Sequence, residues 1–243
     1  MISSAEIKSV KNLGAKKFRD QSGCFVVEGE KMVAEALKSG FEVVKTYRRE
    51  DVGDEAMARM SQMSTPPPAI AVLRKPAPAP ARIENGLYLA LDSIRDPGNL
   101  GTIIRIAEWF GINAIIASPD TVEVFNPKVV QSTMGAIFRV RFHYMDVCGF
   151  ARDVLDAGGN VYGTFLDGGN MYEKDLQTGV DRPVAIVIGN ESNGISDAVE
   201  ALVSDRLYIP PFPADDPGSE SLNAAVATAV IVAEFRRRLI NQR

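Results

Sequence analysis

Cysteine and histidine are almost missing from this chain of 243 residues, which holds only Cys24, Cys148 and His143. The two cysteines lie far apart and outside any C-x-x-C spacing, so neither a zinc site nor a disulfide framework is expected. A reducing cytoplasm is then the default compartment. His143 lies outside every polar loop described below and is read as structural, and no metal is expected. Long apolar runs are also absent: none approaches the roughly 20 residues needed to cross a bilayer, so no membrane role is expected. The opening stretch, MISSAEIKSVKNLGAKK, has no secretory apolar core, and the sequon Asn190-Glu191-Ser192 is accordingly read as coincidence.

What remains is an ordinary globular composition, 46% hydrophobic and 24% charged, suited to one large domain or a small one followed by a medium one. The net charge of −4 is unevenly spread, with 13 basic against 10 acidic residues in 1–80 and 14 against 21 thereafter. Lys8, Lys11, Lys16, Lys17 and Arg19 stand against a single early acid, Glu6. A phosphate-binding surface is therefore expected on the front piece, with Lys16, Lys17 and Arg19 as candidates. Charge alone favours a merely solvated helix face.

Prolines at 66, 67, 68, 76, 78 and 80 mark the densest break, with AIAVL (Ala69 to Leu73) between them as a short buried strand. The linker is placed at about 75–84, dividing the chain into domains 1–80 and 81–243. The front piece alternates helix and strand: a helix from Ser4, strand CFVVEG, helix EKMVAEALKSG, a strand from Phe41 to Tyr47, a helix from Asp54 to Met63, then AIAVL. The second piece alternates buried strands, LYLALD (87–92), 113–118, 139–142, 160–165, VAIVIG (184–189) and 206–209, with helices. Those helices are expected at 100–110, 129–134, 150–157, 197–203 and 222–239. The pattern predicts an α/β fold with a parallel sheet covered on both faces. Such sheets bind ligands at the carboxyl ends of their strands, and three polar loops lie there.

The first loop, Asp92 to Gly101, runs into a helix carrying Arg105. Its glycines, Gly98 and Gly101, do not fit G-x-G-x-x-G, which disfavours a nicotinamide-dependent oxidoreductase. Capping alone would explain Asn99 at the helix start. Arg105, on an otherwise apolar helix, either snorkels to water or reaches a phosphate or carboxylate. The second loop, Gly189 to Ser196, mimics a phosphate-binding loop but has Ile195 where the lysine belongs, so nucleoside triphosphates are excluded. Glu191 there either caps the segment from Ser196 or orients an arginine or a ligand hydroxyl. The third loop, Ile209 to Asn223, opens an Ala/Val-rich helix, and Ser221 and Asn223 read as caps.

Together and in this order, the loops resemble a known signature. Asp96-Pro97-x-Asn99-x-Gly101-x-Ile103-x-Arg105-x-Ala107, then Ile188-Gly189-Asn190-Glu191-x-x-Gly194-Ile195, then Ile209-Pro210 with Ser221-Leu222-Asn223, are similar to the three motifs of the SpoU (TrmH-like) branch of the SPOUT RNA methyltransferases. The front piece resembles the L30e-like substrate-binding domain of that family through Lys17-x-Arg19, Gly23, Phe25 to Gly29 and Glu35-Ala36-Leu37. The resemblance implies a deep trefoil knot, a homodimer with its active site at the subunit interface, and S-adenosylmethionine (AdoMet) as methyl donor. It places Thr164, Gly189, Ile209 and Leu222 around the cofactor, and Asn99, Arg105, Glu191, Ser221 and Asn223 in catalysis. One departure is a longer third motif, with Phe212, Pro213, Asp215, Asp216 and Pro217 inserted; another is Ala224-Ala225 where Val-Ser is common.

The implied reaction is methyl transfer to an RNA ribose 2′-hydroxyl, in ribosomal RNA before tRNA. Arginine is a poor base, so Arg105 is expected to hold the target's phosphate and steady the developing alkoxide. Glu191 would orient Arg105 or the substrate. Against this stand a catalytically silent RNA- or ribosome-binding protein of the same fold and an enzyme modifying a base.

Overall fold

The computed structural model describes residues 2–213 and 221–241. The chain forms two compact units. The first joins Met1–Pro78 to Glu123–Arg139, and the second joins Ala79–Val122 to Val140–Arg243.

In the first unit, β1 (Cys24–Glu28), β2 (Val43–Arg48) and β3 (Ala69–Arg74) form an antiparallel sheet in the order β1-β3-β2. Around it lie α1 (Ser4–Asn12), α2 (Lys16–Ser22), α3 (Glu30–Lys38), α4 (Arg49–Val52) and α5 (Asp54–Met60). Helix α1 is capped by Ser3, whose hydroxyl accepts from the Glu6 backbone N–H at 3.2 Å. Ile7, Val10, Met57 and Met60 pack with Val26 and Ile70 on one face of the sheet. Strand alternation turns Phe25 to the other face, where its ring meets Phe41 at 6.0 Å and Phe125 at 4.6 Å. Phe41 in turn meets Phe138 at 5.3 Å. Glu123–Arg139, which includes α7 (Pro127–Ser132) and a 3-10 turn at Ala136–Phe138, thus closes this second face.

In the second unit, β4 (Gly86–Leu91), β5 (Ala114–Ala117), β6 (Phe142–Tyr144), β7 (Asn160–Asn170), β8 (Pro183–Ile188) and β9 (Asp205–Tyr208) form a parallel sheet, ordered β6-β5-β4-β8-β7-β9. Strand β8 is buried throughout, as its unbroken apolar run requires. Helices α6 (Pro97–Trp109), α8 (Val147–Asp156), α9 (Asp197–Glu200) and α10 (Ala224–Asn241) complete the unit. Gly111, at φ 61°, supplies the left-handed turn after α6. Arg236 of α10 donates to the Phe110 and Gly111 carbonyls at 2.7 and 2.6 Å, tying α10 to that end.

The parallel sheet and the strand–helix alternation follow the sequence reading. Several details differ: α2 and α4 were not expected, α8 begins at Val147 rather than Phe150, and α10 at Ala224 rather than Leu222. Helix α6 begins at Pro97 rather than Leu100, because Asp96 caps it and proline fits its first turn. The 3-10 turn displaces the strand expected at 139–142 to Phe142–Tyr144. Strand β7 runs on to Asn170. Among the described residues no helix is long and apolar enough to cross a membrane. Of the inserted residues in the third loop, Asp215, Asp216 and Pro217 lie outside the described residues.

Candidate active site

Neighbouring β4 and β8 deliver the first two loops side by side, and the third arrives from β9, two strands beyond β8. In the first loop Asp96, not Asn99, is the cap: its Oδ1 accepts from the Asn99 backbone N–H at 2.8 Å. The Asn99 side chain is thereby released from capping. Its Nδ2 donates to Glu191 Oε1 at 3.0 Å, and its Oδ1 accepts from Asn223 Nδ2 at 2.8 Å. Asn223 also caps α10, its Oδ1 accepting from the Ala225 and Val226 N–H groups at 3.0 and 3.2 Å. One chain of hydrogen bonds, Asn223–Asn99–Glu191, therefore joins all three loops around the nearly buried Asn99 (9% exposed).

The second loop folds on itself. The backbones of Asn190 and Gly194 bond reciprocally at 2.8 and 2.9 Å, and the Asn190 side chain accepts from the Ser192 and Asn193 N–H groups. A Cβ on Gly189 would lie 2.3 Å from the Gly194 carbonyl carbon, so only glycine permits this closure. The Ser196 N–H is taken by Asp92 Oδ2 at 2.7 Å, which removes the capping explanation for Glu191. Glu191 instead accepts from Asn99 and, at 3.3 Å each, from the backbone N–H groups of Arg95 and Asp96. Burial pushes its carboxyl up, but these hydrogen bonds outweigh burial and leave it below its ordinary value. At neutral pH it is an anion with diminished appetite for a proton.

Arg105 lies six residues beyond Asn99 on α6, about 9 Å along the axis. It is exposed and has no hydrogen bond or ion pair among the described residues, so Glu191 does not hold it. Ser221 is likewise exposed and joins no part of the hydrogen-bond chain among the described residues. Gly189 and Ile209 stand just past the carboxyl ends of β8 and β9, Thr164 lies within the intervening β7 just beyond its pairing with β8, and Leu222 precedes α10. The β7–β9 ladder breaks after Thr164 and resumes at Gly169, which opens the sheet there. The peptide groups of Gly189, Ile209 and Leu222 make no hydrogen bond to other described loop backbone. A ligand recognised through backbone groups, as expected for AdoMet, fits that donor set.

In the first unit Lys16 and Lys17 are exposed, Lys16 pairing with Asp20 at 2.6 Å. Arg19 corrects the sequence expectation. It is 2% exposed, its Nη1 donates to the Leu13 carbonyl at 2.8 Å, and its Nε donates to Glu123 at 3.1 and 3.2 Å. It is a structural ion-pair partner with no surface to offer a phosphate. His143 meets the Ala79 carbonyl at 3.1 Å, in keeping with a structural role. Sequence reasoning gave no role to Asp92, Ser93, Arg95 or Asp120 and none to Asp96 beyond its place in the motif, although Asp92 to Asp96 lie inside the first loop.

Residues 86–233 match the SpoU rRNA Methylase family, and residues 4–65 match an MRM3-like substrate binding domain. The chain is 30% identical to the 23S rRNA (guanosine(2553)-2'-O)-methyltransferase RlmP of Bacillus subtilis, across 95% of this chain and 96% of the relative. A TrmH-family protein of Porphyromonas gingivalis superposes with a TM-score of 0.87 at 36% identity, covering 98% of this chain and 99% of that one. An AdoMet-bound rRNA methyltransferase of Sinorhizobium meliloti does so with a TM-score of 0.85 at 27% identity, over 98% and 97%.

Proposed function

The chain belongs to the SpoU rRNA methylase family of AdoMet-dependent RNA methyltransferases, and we propose that its acceptor is a ribose 2′-hydroxyl of ribosomal RNA. The observation that carries this reading is the Asn223–Asn99–Glu191 chain, which gathers three motif side chains at adjoining strand ends. The activity for which the RlmP relative is named supports ribosomal RNA as substrate.

AdoMet, when bound, supplies a sulfonium methyl group for in-line transfer. Thr164, Gly189, Ile209 and Leu222 would hold it, chiefly through backbone groups. The protein's own contribution is alignment, which in favourable systems lowers a barrier by about 7–11 kcal/mol. Arg105, exposed and uncommitted, would grip the target's phosphate bidentately and steady the charge that develops on the ribose oxygen. Glu191 is a positioning anion. Its hydrogen bonds lower its basicity, so the substrate phosphate is the better proton acceptor. Ser221 and Asn223 would order the third loop over the ribose.

Three further parts belong to the same reading. Ile209 follows β9 at the sheet edge, whereas Asn223 bonds Asn99 beyond β4, three strands away, which supports a threaded, knotted carboxyl end. Trp109 on α6 (84% exposed) and Leu222 and Val226 at the start of α10 support a second copy of the chain as partner, giving a homodimer. Free thiols at Cys24 and Cys148 support a reducing cytoplasm. The front domain, through Lys16 and Lys17, would take the RNA backbone. The test is to map 2′-O-methylated nucleotides in ribosomal RNA from cells with and without the gene. Loss of one site on deletion is expected; an unchanged map, with a tRNA site lost instead, would redirect the assignment.

A further inference from the structure

The first loop carries a second exposed cation that the reaction as described leaves unused. Arg95 is 63% exposed, and its Nη2 donates to Asp120 Oδ2 at 2.8 Å in the turn after β5. The same carboxylate takes the Ser93 hydroxyl. Ser93 holds a left-handed φ of 62°, unfavourable for any residue but glycine. Its N–H donates to Ser118 Oγ at 2.8 Å, and its carbonyl accepts from Asn190 Nδ2 at 2.7 Å. The Arg95 N–H donates to Glu191 at 3.3 Å. The segment Ser93 to Arg95 is thus fastened from the β5 side by Ser118 and Asp120, and from the β8 side by Asn190 and Glu191.

Exposed ion pairs add little stability, so this fastening is poorly explained as a stabilising device. Its position offers a better reason. In the order β5-β4-β8-β7-β9, the candidate cofactor residues Thr164, Gly189 and Ile209 lie within β7 and just past β8 and β9, whereas Asp120 lies beyond β5. Arg95 therefore stands on the acceptor side, across β4 from the methyl donor. A guanidinium has five N–H donors; Asp120 takes one, and the Nε and Nη1 groups have no partner among the described residues. Hydrogen bonds from Ser118 and Ser93, aided by the Arg95 charge, hold the Asp120 carboxyl below its ordinary value, so the tether stays charged at neutral pH.

We infer that Arg95, aimed by Asp120, binds a backbone phosphate of the RNA strand beside the target nucleotide, distinct from the phosphate held by Arg105. This rests on the RNA methyltransferase reading of the same site. The Arg95→Ala variant keeps the backbone bond to Glu191, which makes it a clean probe.

The test uses the full-length protein, AdoMet and a ribosomal RNA fragment containing the mapped site, with KM for RNA measured across a salt series. Arg95→Ala is expected to raise KM about tenfold and to flatten the logarithmic salt dependence by about one, with AdoMet affinity unchanged. Arg95→Lys should restore the salt slope but only part of the affinity, because an ammonium lacks the bidentate fork. Wild-type KM and slope in Arg95→Ala would overturn the inference and leave the reaction standing. Loss of AdoMet binding in that variant would also overturn it, by making Arg95 part of the scaffold. No transfer by the wild-type protein would overturn the reaction and this inference together.

Discussion

Asn223 donates its side-chain amide to Asn99 Oδ1 at 2.8 Å, joining two residues 124 positions apart. Asn99 in turn donates from Nδ2 to Glu191, so its amide is the junction through which the third loop is registered against the first two. Neither partner needs to touch the reacting atoms to matter. Misplacing the third loop by an ångström would spoil alignment with the methyl donor.

Asn99→Ala removes the junction while leaving the Asp96 cap, which binds the Asn99 backbone, in place. The expected result is a fall in kcat of about 10²-fold with little change in KM for RNA. Stability should fall by about 1–3 kcal/mol, since Asn223 and Glu191 each lose a partner. Steady-state kinetics and thermal melting read the two effects, and wild-type kcat in this variant would contradict the junction.

Glu191 provides a test by pH. Its carboxyl is held below the ordinary value, so whatever it contributes to stability is complete above the unfolded-state value of 4.5 and is lost as pH falls through the lower folded value. It should therefore add no limb to the pH–rate profile near neutrality. Glu191→Gln is expected to lower kcat at every pH without changing the profile's shape. A limb near neutrality in the wild type that vanishes in the variant would make Glu191 the proton acceptor.

How much of this was legible beforehand follows from particular residues. The apolar runs of β4 and β8 announced the parallel sheet, and Gly98 and Gly101 argued against the dinucleotide fold. The resemblance supplied Asn99, Glu191 and Asn223 as a set, but spacing alone left Asn99 and Asn223 as caps and Glu191 open between a cap and an orienting acid. Only coordinates divide the capping between Asp96 and Asn99, and only they show Asn223 capping and bridging at once. Arg19 shows the opposite failure. Its cationic neighbours suggested a solvated face, while its partner, Glu123, lies 104 residues away, beyond reach of any local pattern.

Arg19→Met should destabilise the first unit by up to about 3–5 kcal/mol, because the largely buried Glu123 would lose its main counter-charge. Lys75, 3.1 Å from Glu123, limits the loss. Chemical denaturation followed through the first unit measures it. A stability equal to wild type, accompanied by weaker RNA binding, would return Arg19 to the RNA surface.

Excising residues 1–80 is an unsuitable test of RNA recognition. It would strip Phe125 and Phe138 of the Phe25 and Phe41 rings they pack against, and the remainder is expected to aggregate. Substituting Lys16 and Lys17 by alanine leaves that core intact. The double variant should bind RNA more weakly and flatten the salt dependence by about one for each phosphate it no longer neutralises. Unchanged affinity at all salt concentrations would remove these lysines from the interface.

The most direct measurement follows labelled methyl groups from AdoMet into ribosomal RNA, with the product digested to nucleosides, for wild type and Arg105→Ala. Label in a 2′-O-methylated nucleoside is expected from the wild type, and none from the variant despite undiminished AdoMet binding. Equal labelling by both proteins, or label on a base, would contradict the account.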